Sequence, residues 1–229
     1  NRMADASSDA RNPRTRTRAI PAGLLSPSFT WAFVAASSAV FVLAAWRLNP
    51  LCFKLAPLAL ATILLYSYTK RFTTFSHLIL GICLGIAPAA AWIGVRGRLD
   101  WPILVLTGAV TMWTAGFDII YACQDFDFDR AERLYSLPSR IGIGPALWLA
   151  RLLHGVMIAL LVWLAVLLEL GPLSLAGVAL AAGLLTYEHS LVKAHDLSRV
   201  NAAFFTVNGF VSVLFFVFWA ADVLYASRH

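Results

Sequence analysis

The chain has 229 residues, of which 60% are hydrophobic and 13% are charged. A soluble domain is about 45–50% apolar and about 25% charged, so this composition excludes an ordinary water-soluble protein and predicts an all-α integral membrane protein in a lipid bilayer. The net charge is +6, but the basic residues lie in short gaps between apolar runs, which argues against nucleic acid and favours lipid headgroups or an anionic substrate.

The N-terminal segment combines regularly spaced oxygen ligands with a cluster of arginines. Asn1, Asp5 and Asp9 are four residues apart, so on a helix they form a stripe on one face. An amide and two carboxylates are hard oxygen ligands suited to Mg²⁺, which often shares its shell with a phosphate-bearing substrate. The alternative is a solvated juxtamembrane segment of mixed charge. Guanidinium groups suited to a diphosphate belong to Arg2, Arg11, Arg14, Arg16 and Arg18.

Seven segments are long and apolar enough to span a membrane, which takes about 20 mostly apolar residues. The three cysteines lie inside such segments without pairing or metal-ligand spacing, so we expect them to be small core residues. The predicted spans are 29–46, 51–68, 76–95, 101–123, 143–169, 173–192 and 201–225.

The second predicted span ends with Tyr66 and Lys70, which are one helical turn apart and face the same way. Taken alone, the pair is typical of an aromatic belt followed by a basic anchor at the membrane interface. Beside an acidic site, however, Lys70 would balance the charge of a leaving diphosphate.

The fourth predicted span runs into a group of four aspartates. At about 100° per residue, Asp118, Asp125 and Asp129 fall within about 20° of one helix face, whereas Asp127 falls on the opposite side. Charges at the end of a spanning helix are costly unless they face a cavity and have partners. We therefore expect Asp125 and Asp129 to be metal ligands, with Asp118 one to two turns deeper on the same face.

The connection before the last span is unusually polar. Asn201 and Asn208 are seven residues apart and share a helix face, so they either bridge helices by hydrogen bonds or line a substrate cavity. His189 and His195 have no ligand-like spacing, so we expect them on the surface or in a hydrogen-bond network.

Basic residues in the connections predict the orientation. Twelve Lys and Arg residues fall on one side of the membrane and five on the other, so the side with twelve is expected to be cytoplasmic. Seven of the twelve acidic residues fall in two short segments on that same side, and the orientation rule does not explain this clustering. The five opposite residues are Arg47, Lys54, Arg96, Arg98 and Arg228.

Together these motifs resemble those of the UbiA superfamily of intramembrane aromatic prenyltransferases, above all the 4-hydroxybenzoate polyprenyltransferases and their menaquinone-pathway relatives. The resemblance covers essentially all of the chain. It rests on Asn1-x3-Asp5-x3-Asp9, Tyr66-x3-Lys70, Asp118-x2-Tyr121-Ala122-x2-Asp125-x3-Asp129, Tyr187-Glu188-His189, and Asp196-Leu197-Ser198-Arg199-Val200-Asn201 with Asn208-Gly209.

The resemblance implies a bundle of nine spanning helices around a central cavity, with the first acidic motif closing the second helix. Seven spans are present, so residues 1–229 are expected to be a single prenyltransferase domain that lacks its first two helices and its true N-terminus. Arg2 departs from the commonest form of the first motif, which has a second acidic residue after the Asn. In the family that the chain resembles, the pocket for the aromatic acid draws partly on the first two helices.

The resemblance also implies the chemistry. One Mg²⁺ is expected at Asn1 and Asp5 with Asp9 nearby, and a second at Asp125 and Asp129. The substrates would be a polyprenyl diphosphate and an aromatic acid, 4-hydroxybenzoate or a hydroxynaphthoate, in ubiquinone or menaquinone biosynthesis at the cytoplasmic face of a bacterial inner membrane. Arg14, Arg18 and Lys70 are implied to bind the diphosphate, and Asp118, Lys70 and Tyr66 to be catalytic.

Two other functions stay open at this point. A secondary transporter or ion channel also uses carboxylates inside the membrane, although it places them near the bilayer midplane. A sister activity of the superfamily would prenylate haem or chlorophyll precursors. The cluster of acids beside arginines at helix ends favours a diphosphate site over an ion pathway.

Overall fold

The computed structural model describes residues 1–226 as helices joined by short connections, and no β-strand forms within that range. A 3₁₀ turn at Cys123–Asp125 links α5 to α6, and a π-helical stretch at Ala202–Val207 leads into α10. The ten α-helices are α1 (Ala6–Arg11), α2 (Pro27–Leu48), α3 (Pro50–Thr69), α4 (Ser76–Arg96), α5 (Trp101–Ala122), α6 (Phe126–Ala131), α7 (Leu137–Ile141), α8 (Ile143–Leu167), α9 (Pro172–Leu191) and α10 (Asn208–Ala226).

The long helices begin where the sequence carries start signals. Proline occupies the first position of α2, α3 and α9, where its missing N–H would have no partner in the helix. The side chains of Ser26 and Asn49 cap α2 and α3 by accepting hydrogen bonds from backbone N–H groups of the first turn. These signals explain why the predicted spans and the observed helices agree to within a few residues.

The helices identify an integral membrane protein. Six are long and apolar enough to cross a bilayer, with the stretch from α5 through α6 counted as one. Large apolar side chains face outward, among them Phe29 at 59% and Val95 at 88% exposure, as expected of a surface in contact with lipid. The six do not include α9, which is a helix of 20 residues with a polar last turn. The predicted number of seven spans therefore stays a prediction.

Helix α5 is the centre of the bundle and packs most extensively against α4 and α8. Small residues permit the close approach of α4: a Cβ at Gly81 would lie only 2.4 Å from the carbonyl oxygen of Thr111. Near the end of α5, Ile120 is completely buried in a core shared with α8 and the chain around Val200. This packing fixes the end of α5 that carries the aspartates.

Two predicted details were wrong in the same way, because regular helices were assumed. Helix α5 ends at Ala122 rather than running on to Asp129, so the aspartates lie on three consecutive elements. Asn1 and Asp5 precede α1, although backbone bonds from Asp5 N to Asn1 O and from Asp9 N to Asp5 O keep the helical spacing. Arg228, which entered the orientation prediction, lies outside the described residues.

Candidate active site

One cavity of about 190 Å³ lies where α3 and α5 end, α4 begins, and the N-terminal segment folds over them. It brings together side chains that are up to 133 positions apart, from Asn1 to Leu134. Every predicted site residue lines this cavity, namely Asn1, Asp5, Asp9, Arg14, Arg18, Tyr66, Lys70, Asp118, Asp125 and Asp129. Asp127 is exposed and is not among the lining residues, in agreement with its predicted outward position.

The N-terminal segment is fastened to the 3₁₀ turn at Asp125. Asn12 Nδ2 and Arg14 Nε donate to Asp125 Oδ1 at 2.9 and 3.0 Å, and Arg14 Nη2 donates to Oδ2 at 2.5 Å. Arg14 Nη1 also donates to the hydroxyl of Tyr121 at 3.0 Å. Burial opposes the charge of Arg14, but its bonds to Asp125 and Tyr121 outweigh that effect and raise the pKa of Arg14. The two acidic motifs therefore meet through an arginine.

Two further ion pairs connect predicted diphosphate ligands with predicted metal ligands. Arg18 Nη1 contacts both carboxylate oxygens of Asp9, at 2.7 and 2.9 Å. Lys70 Nζ lies 2.8 Å from Asp129 Oδ1, yet in an orientation that does not make a hydrogen bond. Asp129 is completely buried, and neither of its oxygens has a hydrogen-bond donor within residues 1–226. A buried carboxylate with unused oxygens needs a further partner.

The donor set suits a hard divalent cation, although it is not a preformed protein cage. No group of three or more His, Cys, Asp or Glu side chains converges on one point in the described part of the chain. Mg²⁺ typically uses one or two carboxylates plus substrate phosphates, which matches paired aspartates around a cavity. Burial and the neighbouring Asp9 raise the pKa of Asp5 and outweigh the opposing effect of Lys70, Arg71 and the N-terminus. The unused oxygens of Asp129 and the raised pKa of Asp5 fit a cation ligand.

Asp118, the cavity carboxylate that lies within α5, has a histidine partner that could not be identified from the sequence. His77 Nδ1 lies 2.6 Å from Asp118 Oδ2, and the backbone N–H of Leu137 donates to His77 Nε2 at 3.2 Å. Nothing in the sequence pairs His77 with an aspartate 41 positions later, because the contact depends on how α4 packs against α5. The bond from Asn12 to Asp125 could not be predicted either, because it depends on where the N-terminal segment crosses the 3₁₀ turn.

A second polar network lies outside the cavity, between α5, α8, α9 and α10. Asn208 is buried, accepts a hydrogen bond from Trp113 Nε1 at 2.6 Å and donates to Glu188 Oε1 at 3.1 Å, so it bridges helices. Asn201 is exposed, so the predicted shared face does not exist. His189 Nε2 lies 3.0 Å from Nδ1 of His154 on α8. His195 is exposed, so each predicted histidine is found at the surface or in a network.

Comparison with known proteins gives the family. The family model described as UbiA prenyltransferase family matches residues 1–220. The chain is 29% identical to a 4-hydroxybenzoate octaprenyltransferase of Nitrosospira multiformis over 94% of its own length and 74% of that protein. It is 34% identical to a protoheme IX farnesyltransferase of Synechococcus elongatus over 62% of its own length and 46% of that protein.

A solved structure agrees with the sequence comparisons. The apo structure of a UbiA homolog from Aeropyrum pernix K1 superposes with a TM-score of 0.86 and 32% identity, covering 97% of this chain and 82% of the other. That match confirms the all-helical membrane fold expected from the sequence. The chain belongs to the UbiA prenyltransferase family.

Proposed function

We propose that the protein transfers a polyprenyl group from a polyprenyl diphosphate to an aromatic acid in quinone biosynthesis. The observation that carries this proposal is that oxygen ligands and cationic side chains line one shared cavity. The relative named 4-hydroxybenzoate octaprenyltransferase supports 4-hydroxybenzoate as acceptor. A hydroxynaphthoate of the menaquinone type is the other candidate acceptor.

Three cations of the cavity suit the diphosphate. The guanidinium groups of Arg14 and Arg18 present planar forks of N–H donors, and Lys70 adds an ammonium group to the same cavity. Asn1 and Asp5, with Asp9 nearby, would hold one Mg²⁺, and a second would bind Asp125 and Asp129. Bound Mg²⁺ would neutralise charge on the diphosphate and favour its departure.

In the proposed reaction, the bond between the allylic carbon and the diphosphate oxygen breaks, and its electron pair leaves with the diphosphate. A ring carbon next to the phenolic hydroxyl of the acceptor forms the new bond to the allylic carbon, and the ring then loses its proton. Tyr66, in the last turn of α3, and Lys70, the residue after that helix, complete the catalytic set with Asp118. The surrounding apolar helices exclude water, which would otherwise trap the cationic carbon.

The membrane location follows from the same chemistry, because the prenyl tail is soluble in lipid and the reacting carbon is sensitive to water. The excess of Lys and Arg on the cavity side supports a cytoplasmic active site in a bacterial inner membrane. The transporter alternative is disfavoured, since three of the cavity carboxylates, Asp9, Asp125 and Asp129, are paired with arginine or lysine.

The test is prenylation by the purified protein in lipid nanodiscs. Wild type would receive a labelled prenyl diphosphate and one acceptor at a time: 4-hydroxybenzoate, a hydroxynaphthoate or protohaem. Products would be identified by mass spectrometry with Mg²⁺ and with a chelator. We expect turnover of one aromatic acid only when Mg²⁺ is present, and a loss of about 100-fold or more in Asp5→Asn and Asp125→Asn.

Asp127→Asn is the matched control, because it changes the same residue type at an exposed position two residues after Asp125. It should keep wild-type turnover. Wild-type activity of both Asp5→Asn and Asp125→Asn would contradict the proposed cation sites. Transfer to protohaem alone would contradict the proposed acceptor class.

A further inference from the structure

The hydrogen bonds of His77 determine where its proton lies. A backbone N–H can only donate, so the bond from Leu137 N requires a lone pair on His77 Nε2. The ring proton is then on Nδ1, which donates to Asp118 Oδ2 at 2.6 Å. His77 is 5% exposed, so water does not compete effectively for either nitrogen.

The Leu137 N–H is itself a group that needs a partner. It belongs to the first residue of α7, and the first four N–H groups of a helix have no acceptor inside that helix. His77 Nε2 provides the acceptor from α4. A protonated or Nε2–H ring would remove the acceptor of this N–H, so the backbone of α7 favours the neutral Nδ1–H form of His77.

The bond to His77 leaves one oxygen of Asp118 available. Asp118 lines the cavity, its side chain is 20% exposed, and its Oδ1 accepts no hydrogen bond from any residue in the range 1–226. Arg14, Arg18 and Lys70 are paired with other carboxylates. Arg71, which also lines the cavity, donates to the carbonyl oxygen of Ala4. Asp118 is thus a carboxylate whose orientation is set by a neutral donor rather than by a cation.

We propose that His77 is a positioning residue: it fixes one oxygen of Asp118, so that the other accepts a hydrogen bond from the hydroxyl group of the aromatic acceptor. This inference rests on the proposed function and predicts which aromatic acceptors the site selects. The site then requires an acceptor with a hydroxyl donor, and it discriminates against the same acid with a methoxy group. A site built to bond a hydroxyl group rejects an analogue without it strongly, because its own polar group would remain unpaired.

The first measurement is independent of activity. The chain contains five histidines, so a sample labelled with ¹⁵N-histidine in nanodiscs gives a simple spectrum, and the His77 signals are identified by their loss in His77→Asn. We expect the ¹⁵N shifts of a neutral ring protonated at Nδ1. A ring protonated at Nε2, or at both nitrogens, would overturn the proposal.

The second measurement separates a positioning role of His77 from a structural role in the fold. His77→Asn keeps an amide N–H near the position of Nδ1–H, whereas His77→Ala removes the donor. We expect His77→Ala to lower kcat/KM for the aromatic acid by about 10- to 100-fold, the loss typical of a hydrogen bond to a charged group, with the KM for the prenyl diphosphate within about twofold of wild type. His77→Asn should recover most of the loss, and His195→Asn, at an exposed site, should behave as wild type.

Equal losses for both substrates, or no difference between His77→Asn and His77→Ala, would show a merely structural role and overturn the proposal. Equal turnover of the hydroxy and methoxy acids would overturn it as well. If wild type prenylates no aromatic acid, the proposed function fails, and the spectrum alone then decides whether His77 is the neutral Nδ1–H donor to Asp118.

Discussion

Replacing Gly81 by alanine should loosen the contact between α4 and α5 that brings His77 to Asp118. A Cβ at Gly81 would lie 2.4 Å from the carbonyl oxygen of Thr111, which is backbone and cannot rotate away. Ordinary van der Waals contact begins about 1 Å farther out. Gly85 is in the same situation one turn later, 2.8 Å from the carbonyl oxygen of Thr107. With alanine at Gly81, α4 or α5 must therefore shift by roughly 1 Å.

The cost of that shift follows from known overpacking effects. Adding a methyl group to a close-packed interface destabilises by about 1–3 kcal/mol. For a protein of this size, 1 kcal/mol corresponds to about 2–4 °C in Tm. We expect Gly81→Ala to lower the apparent Tm by about 2–12 °C in detergent at a fixed scan rate. The same shift at His77, one turn away on α4, should also lower kcat/KM for the aromatic acid.

Gly155 on α8 provides the control, since a Cβ there would meet nothing within 4 Å. Gly155→Ala should leave the Tm unchanged or raise it, because alanine favours a helix more than glycine does. If Gly81→Ala and Gly155→Ala have the same Tm, the close approach of α4 to α5 does not exist as described. The link from helix packing to the position of His77 would then also fail.

Three further outcomes are expected. Arg14→Lys should lower kcat/KM for the prenyl diphosphate by about 10-fold or more, because an ammonium group cannot reproduce the two parallel hydrogen bonds of the guanidinium group to Asp125. Wild-type kinetics of the Arg14→Lys variant would contradict this expectation. Asp222→Ala should lower the free energy of unfolding by about 1–3 kcal/mol, because the buried carboxylate of Asp222 accepts a hydrogen bond from the backbone N–H of Gly171, which precedes α9. An unchanged Tm would show that another group takes over this hydrogen bond. Burial raises the pKa of Asp5 above its ordinary value of 3.8, so the metal-free fold loses stability as pH rises from 3.8 to the raised value. Stabilisation by Mg²⁺, which needs the ionised carboxylate, should increase over the same window in thermal unfolding. The same pH profile in wild type and in Asp5→Asn would contradict this expectation.

The sequence was sufficient to predict the spans and the acidic motifs because both depend on short-range periodicity. Apolar runs, with proline and a capping residue at their starts, mark α2 and α3. The 3₁₀ turn at Cys123–Asp125 and the π-helix at Ala202–Val207 were not predicted, because a change in helix type leaves the apolar pattern nearly intact. These breaks are decided by tertiary packing.

Contacts between distant residues of the site could not be predicted in the same way. Two motifs on one face of the membrane indicate a shared site, but not which cation pairs with which carboxylate. Arg14 pairs with Asp125 and Arg18 with Asp9, although both arginines lie in one segment. The choice depends on where the N-terminal segment crosses α5 and α6, which is fixed in part by the exposed pair of Arg11 and Glu132.

The ion pairs of the cavity imply that its two ligands must bind together. Arg14, Arg18 and Lys70 neutralise carboxylates in the absence of ligands, so a diphosphate must draw them away from groups that would then lack a counter-charge. A divalent cation alone meets the reverse problem, because it must displace the same cations. When both are present, each resolves the charge imbalance left by the other. We therefore expect positive coupling between Mg²⁺ and a prenyl diphosphate of about 5- to 150-fold in calorimetry, after correction for the complex they form in solution. Independent binding of the two would mean that these ion pairs survive in the loaded site, and that Arg14, Arg18 and Lys70 do not hold the diphosphate.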